Sequence, residues 1–315
     1  MENFLFSLNV VAPLFVLMAT GYIVRATGFI NDDFLGQLNR FVFKLLLPIM
    51  LFQDIRLSYT GDFSNTRLIV ASVAGIAVVI LVSFLIVPLF VKRKGQKGSI
   101  IQGIYRSNFL IYGLPLATGM YGDAAIASIS MLMGIMIPFY NVMAVIILSV
   151  YSETGTHKVS LKSLLKDIVT NPLIIGCFIG LLGGMTHLAF PRFIEIPLAQ
   201  LGALGAPLAL FVMGGEFKFR RLKNNIFKVI AVTFCRLILV PVVALYVFIL
   251  LGFRNVDLAV LLSIFATPTA MASYIMSKNM GTDGELSAQI VVLTTALSSL
   301  TIFFLIYFLR TWGYL

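Results

Sequence analysis

The chain has 315 residues and a formal charge of +10, with 59% of its residues hydrophobic and 11% charged. Globular proteins carry about 25% charged residues, so a water-soluble fold is excluded. At a mean hydropathy of +1.00 most of the backbone must satisfy its hydrogen bonds internally, in hydrocarbon, where only helices and closed barrels do so. The apolar runs are long and lack period-two alternation, so they are predicted to be helices.

A bilayer core about 30 Å thick is crossed by roughly 20 helical residues. Ten such spans are predicted: Leu5–Val24, Phe34–Ile55, Leu68–Val91, Ile100–Tyr121, Ala124–Tyr151, Leu161–Met185, Phe193–Gly215, Ile226–Phe253, Val256–Lys278 and Leu286–Leu309. Met1-Glu2-Asn3 is not basic and no small-residue cleavage site follows, so span one reads as a retained helix rather than a removed signal. Span two ends in Gln53 and Asp54, one turn past Pro48; a neutral amide there can bond a carboxylate without burying a charge. Arg40, Lys44 and Arg106 read as anchors that snorkel to the headgroups.

Span four contains NFLIYGLPLATGMYG, with Gly113 and Pro115 in mid-span, and span nine contains FATPTAMASY around Pro268. Proline lacks an N–H, clashes with the carbonyl four residues back and pushes its predecessor out of the α region. Both helices are therefore expected either to kink at these prolines or to break there and aim free N–H groups at the midplane, a site suited to an anion, and matched positions in the two spans favour the break. Spans five and ten carry Ser130, Asn141, Thr294, Thr295, Ser298 and Ser299, which either face that site or bond between helices. Span seven ends in Glu216. Arg236, about ten residues into span eight, takes a substrate or gating role or snorkels; Asp54 and Glu216 are the other charges with a candidate gating role. Glycines such as Gly180, Gly183, Gly184, Gly202 and Gly205 permit close helix packing.

Fourteen Lys and Arg residues collect in the connectors of one side, among them Arg25, Lys94, Lys158, Lys218, Lys228 and Lys278, against five on the other. Cytoplasmic loops carry the excess, which places both termini outside, with the plasma membrane as the expected location. Charge confined to short connectors is not a nucleic-acid surface. Cys177 and Cys235 lie within apolar runs and read as packing residues. His157 and His187 fall in connectors, so neither a metal site nor a nucleophile–base pair is expected. No phosphate-binding glycine loop is present, so ATP coupling within the chain is not expected either; the chain is read as no enzyme and as needing no cofactor.

Shifted by 159 residues, Pro13, Gly21, Pro48 and Phe52 fall on Pro172, Gly180, Pro207 and Phe211; shifted by 153, Pro115 and Tyr121 fall on Pro268 and Tyr274. Two halves of five spans, residues 1–155 and 156–315, must enter the membrane from opposite sides. That is the inverted-repeat plan of secondary transporters, which place the substrate where the repeats meet.

The run from Asn108 through Gly113 and Pro115 to Tyr121-Gly122-Asp123, the LPIMLF of span two, the NPLIIG of span six and the ATPTAMASY of span nine together resemble the auxin efflux carrier family. Its members include the plant PIN auxin exporters and bacterial permeases described as carrying malate, malonate or similar carboxylates. The resemblance covers essentially all ten spans. It implies spans four and nine crossing at their prolines, as in bile-acid transporters and sodium/proton antiporters. Spans one, two, six and seven would form a scaffold, which could pair as a homodimer. Spans three to five and eight to ten would form a transport block moving against it as an elevator. By motif, Asn108, Gly113, Pro115 and Pro268 stand at the crossover. Tyr112, Leu114, Leu116, Thr267, Thr269, Gln53, Asn141, Thr295 and Ser298 complete the expected contacts to a small organic anion. The long hydrophilic loop of plant members is reduced here to Ser152–Ser160. A potential-driven or secondary active carrier of organic anions is the expected function, with a sodium-coupled importer of the same fold and a non-transporting membrane sensor as alternatives.

Overall fold

A computed structural model describes residues 2–61, 65–153, 161–217 and 219–315; His157, Lys158 and Lys218 lie outside the described residues. The chain is 85% helix with no strands among the described residues. In order come α1 (Glu2–Ala26), α2 (Asp32–Phe41), α3 (Leu47–Ser58), α4 (Thr66–Phe90), α5 (Lys94–Tyr105), α6 (Leu114–Tyr121), α7 (Asp123–Tyr151) and α8 (Leu161–Thr170). Then follow α9 (Pro172–Met185), α10 (Arg192–Glu216), α11 (Phe219–Phe234), α12 (Val240–Leu250), α13 (Asn255–Phe265), α14 (Ala272–Asn279) and α15 (Gly284–Thr311). Five helical stretches, α4, α7, α10, Asn224–Leu250 and α15, are long and apolar enough to cross a membrane by themselves, and a sixth is counted if α8 and α9 are one bent span.

Local chemistry explains where the helices start. Asn31, Asn65, Asn171 and Asp283 each accept a backbone N–H at the head of α2, α4, α9 and α15 at 2.8, 3.1, 3.0 and 2.9 Å, capping donors that a helix leaves unpaired. Gly122, at φ 57°, turns α6 straight into α7, which only a residue without a Cβ does readily. The predicted span Leu161–Met185 is not one straight helix: the chain bends by 62° at Asn171-Pro172, where the cap and the proline start a new helix.

Three π-turns, Val42–Leu46, Phe109–Gly113 and Cys235–Leu239, join α2 to α3, precede α6 and join α11 to α12. Each ends two residues before a proline: Pro48, Pro115 or Pro241. A proline clashes with the carbonyl four residues earlier and offers it no N–H; the wider turn passes that carbonyl's register to a donor five residues on. These three prolines are therefore absorbed by π-turns, and Pro115 does not mark a break.

Helices α1 and α10 pack with almost no side chain between them. A Cβ built on Gly214 would lie 1.9 Å from Met18 O, and one on Gly21 would lie 2.0 Å from Phe211 O. Helices α3 and α9 meet the same way: a Cβ on Gly176 would lie 2.5 Å from Pro48 O and one on Gly180 2.8 Å from Phe52 O. In lipid, where apolar burial gives little drive, such close backbone approach is what holds helices together. Gly214→Ala is expected to force α1 and α10 apart and to destabilise by about 1–3 kcal/mol, whereas Gly134→Ala, with nothing within 4 Å, should be neutral. Thermal unfolding of the two variants in detergent checks this; equal melting temperatures would refute the contact.

Candidate functional site

Two helical interruptions meet inside the bundle. Arg106-Ser107-Asn108 separates α5 from the following π-turn, and Ala266–Met271, which includes Pro268, separates α13 from α14. The two stretches of chain run antiparallel and pair through backbone: Asn108 N donates to Pro268 O at 2.8 Å and Ala270 N to Arg106 O at 3.1 Å, around a bridge between Ser107 and Thr269. Side chains complete the joint. The Ser107 and Thr267 hydroxyls lie 2.6 Å apart, Thr269 donates to Gly103 O at 2.7 Å, and Thr294 Oγ1 accepts from Thr269 N at 3.3 Å. Unwound backbone at this depth keeps its hydrogen bonds because each interruption serves as the other's partner. The interruption in the first half thus sits seven residues before Pro115, where pairing holds the chain open, and not at the proline itself.

Arg236 secures this joint. It is 0% exposed, so it does not snorkel. Its guanidinium donates to Thr267 O at 2.7 and 2.9 Å, Ile264 O at 3.2 Å, Ile104 O at 3.2 Å and Tyr105 O at 3.4 Å. These carbonyls end α5 and α13, two helix C-termini whose dipoles point negative charge at one spot. A planar five-donor cation meets both at once. Arg236 is thereby committed to the backbone, which leaves it no free donor face for a substrate.

Beside the joint lies a cavity of about 70 Å³, walled by Leu47, Met50 and Leu51 of α3 on one side and by Arg106, Asn108, Tyr140, Asn141, Met271 and Ala272 on the other. Arg106, 4% exposed, is not an interfacial anchor. It donates to Asn141 Oδ1 at 2.8 Å and, with the Gln102 amide oriented to satisfy both its ends, to Gln102 Oε1 at 2.9 Å. Met276 Sδ also accepts from its Nη1 at 2.6 Å; all three partners are neutral, and no carboxylate among the described residues pairs with it. Two helical segments begin at the same wall, the one opening at Phe109 and α14 opening at Ala272. Their first N–H groups add positive potential there.

The other expected contacts divide. Asn108 and Asn141 line the cavity. Thr267, Thr269 and Pro268 build the joint and are fully buried in it. Tyr112 is buried with its hydroxyl beside Ser298 and Thr295 of α15, while Gly113 packs on Ser263, 3.2 Å from where its Cβ would stand. Leu114, Pro115 and Leu116 open α6 and do not line the cavity. Gln53 does not reach it either: its Oε1 accepts from Arg56 at 2.7 Å, and Arg56 also binds Glu195 and Leu188 O. That network ties α3 to α10 at the opposite end from Lys278. Asp54 stands beside it, half-buried, with Oδ2 unpartnered. Ser130 lines a separate cleft with Tyr59 and Leu181. Glu216 accepts from Tyr274 and Lys278, away from the joint. Sequence reasoning missed Arg106, although its position two residues before Asn108 was a readable signal.

A family model described as "Membrane transport protein" matches residues 6–306. An uncharacterized transporter of Methanocaldococcus jannaschii is 25% identical over 301 residues, covering 94% of this chain and 96% of the relative. A Rhizobium meliloti protein named "Putative malonate transporter" is 24% identical over 310 residues, covering 96% of each. An uncharacterized transporter of Methanothermobacter thermautotrophicus is 22% identical over 306 residues, covering 94% and 96%.

Proposed function

Because this chain belongs to the membrane transport protein family, the auxin efflux carrier family that its Asn108–Asp123 motif resembles, we propose that it carries short organic carboxylates through the cavity beside the crossed helices. It is a multi-pass membrane protein and its family moves small molecules across a bilayer. The observation that carries the substrate class is Arg106: a buried guanidinium in a cavity wall, held by neutral groups, with no carboxylate partner among the described residues. An uncompensated buried cation is costly, and an anionic ligand relieves it through charge-assisted hydrogen bonds. Asn108 and two helix N-termini at the same wall favour the same sign of charge. Size favours a short acid: each water needs about 10–15 Å³ of such space, so 70 Å³ holds a handful of heavy atoms and not an indole. The malonate named for one relative has that size and charge.

The transport geometry we infer is a ten-span inverted repeat, residues 1–155 and 156–315. Its support is the reciprocal packing of Gly21 on Phe211 and of Gly180 on Phe52, two contacts related by the shift of 159 residues. Pro88 and Pro241 also share the shift of 153 that relates Pro115 to Pro268. Helices α1–α3 and α8–α10 form the scaffold, and the rest moves against it with the crossover as an elevator. The end bearing Lys94, Lys228 and Lys278 faces the cytoplasm, which puts both termini outside.

Export needs no coupled ion in this scheme. A membrane potential negative inside favours anion exit by about 2.3 kcal/mol per charge per 100 mV, roughly a fifty-fold gradient. Proteoliposomes loaded with labelled malonate and given a potassium–valinomycin potential, at equal pH and without sodium, are expected to lose label faster as the interior becomes more negative. Efflux that ignores the potential and follows a proton or sodium gradient would overturn the mechanism; no malonate flux while indole-3-acetate moves would overturn the substrate class.

A further inference from the structure

At the basic end of the bundle a cavity of about 360 Å³ opens between the C-terminus of α10 and the helices α14 and α15, with Glu216, Tyr274, Lys278 and Gln289 in its wall and the carboxylates of Glu285 and of Asp32, the latter ion-paired with Arg25, at its edge. Inside it the Glu216 carboxylate receives two donors from α14, the Tyr274 hydroxyl and the Lys278 ammonium. Asn39 of α2 donates to the Tyr274 hydroxyl at 3.4 Å and accepts from Asn279. Glu216 and Asn39 stand on one proposed block, and Tyr274, Lys278 and Asn279 on the other.

An ammonium and a phenol O–H converging on one carboxylate, in a roomy and partly open cavity, form the donor set that any free carboxylate would seek. Lys278 keeps 37% of its side chain exposed, Glu216 18%, and Tyr274 is buried at 2%, so an entering anion meets the ammonium first and reaches the phenol O–H only as Glu216 gives way. The position along the chain adds to this. Met271 and Ala272 line the cavity at the crossover, and Lys278 lies six residues beyond Ala272 on α14, about 9 Å at 1.5 Å per residue. One helix thus lines the proposed substrate cavity and, further out, carries the phenol and ammonium that now hold the Glu216 carboxylate.

We propose that Tyr274 and Lys278 form a second carboxylate site at the cytoplasmic mouth, and that Glu216 fills it as a tethered stand-in for substrate. A substrate carboxylate entering the mouth exchanges with Glu216, and this exchange unfastens α10 from α14. The proposal rests on the reading of the protein as a carboxylate carrier. A tethered competitor acts at an effective concentration in the millimolar range or above, so the site stays closed to dilute anions.

Malonate titration followed by thermal unfolding in detergent tests this. The proteins are wild type, Arg106→Gln, Arg106→Gln with Glu216→Ala, and that double variant with Lys278→Met added. Arg106→Gln silences the inner cavity, so the remaining stabilisation reports the mouth. Removing Glu216 is expected to tighten apparent malonate binding by about tenfold or more over Arg106→Gln alone, and Lys278→Met is expected to abolish the gain. No gain on removing Glu216, or a gain that survives Lys278→Met, overturns the proposal. If Glu216→Ala does not fold, Glu216→Gln carries the same comparison, because it keeps the side-chain shape and discards the charge. An Arg106→Gln protein that binds malonate as tightly as wild type would sink the inner-cavity reading instead. The pair with and without Lys278 still reads the mouth in that case.

Discussion

Replacing Arg236 by methionine is expected to remove the folded protein from the membrane or to leave it melting far below wild type. The methionine fills much of the volume, but it leaves the carbonyls of Ile104, Tyr105, Ile264 and Thr267 without the guanidinium they now share. Each buried acceptor deprived of its partner costs about 1–3 kcal/mol. Part of that is recovered because a buried cation is no longer desolvated, and a net loss of about 3–5 kcal/mol is the magnitude seen when a buried charged pairing is broken. Arg236→Lys should fall between the two, since an ammonium on a flexible stem reaches fewer of four diverging carbonyls than a planar fork does. Thermal unfolding in detergent, with gel filtration to count folded protein, measures all three. A methionine variant with wild-type melting temperature and flux would show that the crossing holds without its clamp.

Arg106→Gln should do the opposite: keep the fold and lose the function. Glutamine retains a hydrogen bond to Asn141 but no charge, so a bound carboxylate forfeits a charge-assisted bond of about 1.5–3 kcal/mol, about 10- to 150-fold in apparent affinity. Asn108→Ala, which removes a neutral amide from the same wall, should cost less, about 0.5–1.5 kcal/mol. Malonate uptake into proteoliposomes, measured over a range of substrate concentrations, separates the two variants. Equal uptake by Arg106→Gln and wild type would remove the cavity from the transport path.

These two arginines also mark how far the chain can be read without its fold. Both occur in apolar segments, and nearest-neighbour sequence makes them look alike: Arg106 close to a predicted helix end and Arg236 deeper. Depth along a helix was a poor guide, because both are buried. What separates them is what faces them across the bundle, neutral amides and a cavity for Arg106, four carbonyls for Arg236. Gln53 went astray for a related reason. Its helix passes the cavity, but the residue sits beyond it, where Arg56 takes its oxygen.

By itself the sequence determined the helical class, the membrane setting and the family, because these follow from composition, from apolar runs without alternation and from motifs local to a few turns. It also placed some of the close-packing glycines, Gly180 and Gly184 among them, but not Gly176 or Gly214. Where span four parts was decided only in the tertiary structure. Pro115 carried a strong local signal for a break, yet a π-turn absorbs it, and the chain opens instead at Arg106–Asn108. Backbone hydrogen bonds lost by unwinding must be replaced, and the replacements come from Pro268 and Ala270, some 160 residues away. No local propensity encodes a partner that distant, and so the joint, its arginine clamp and the cavity beside it exist only once the two halves are packed together.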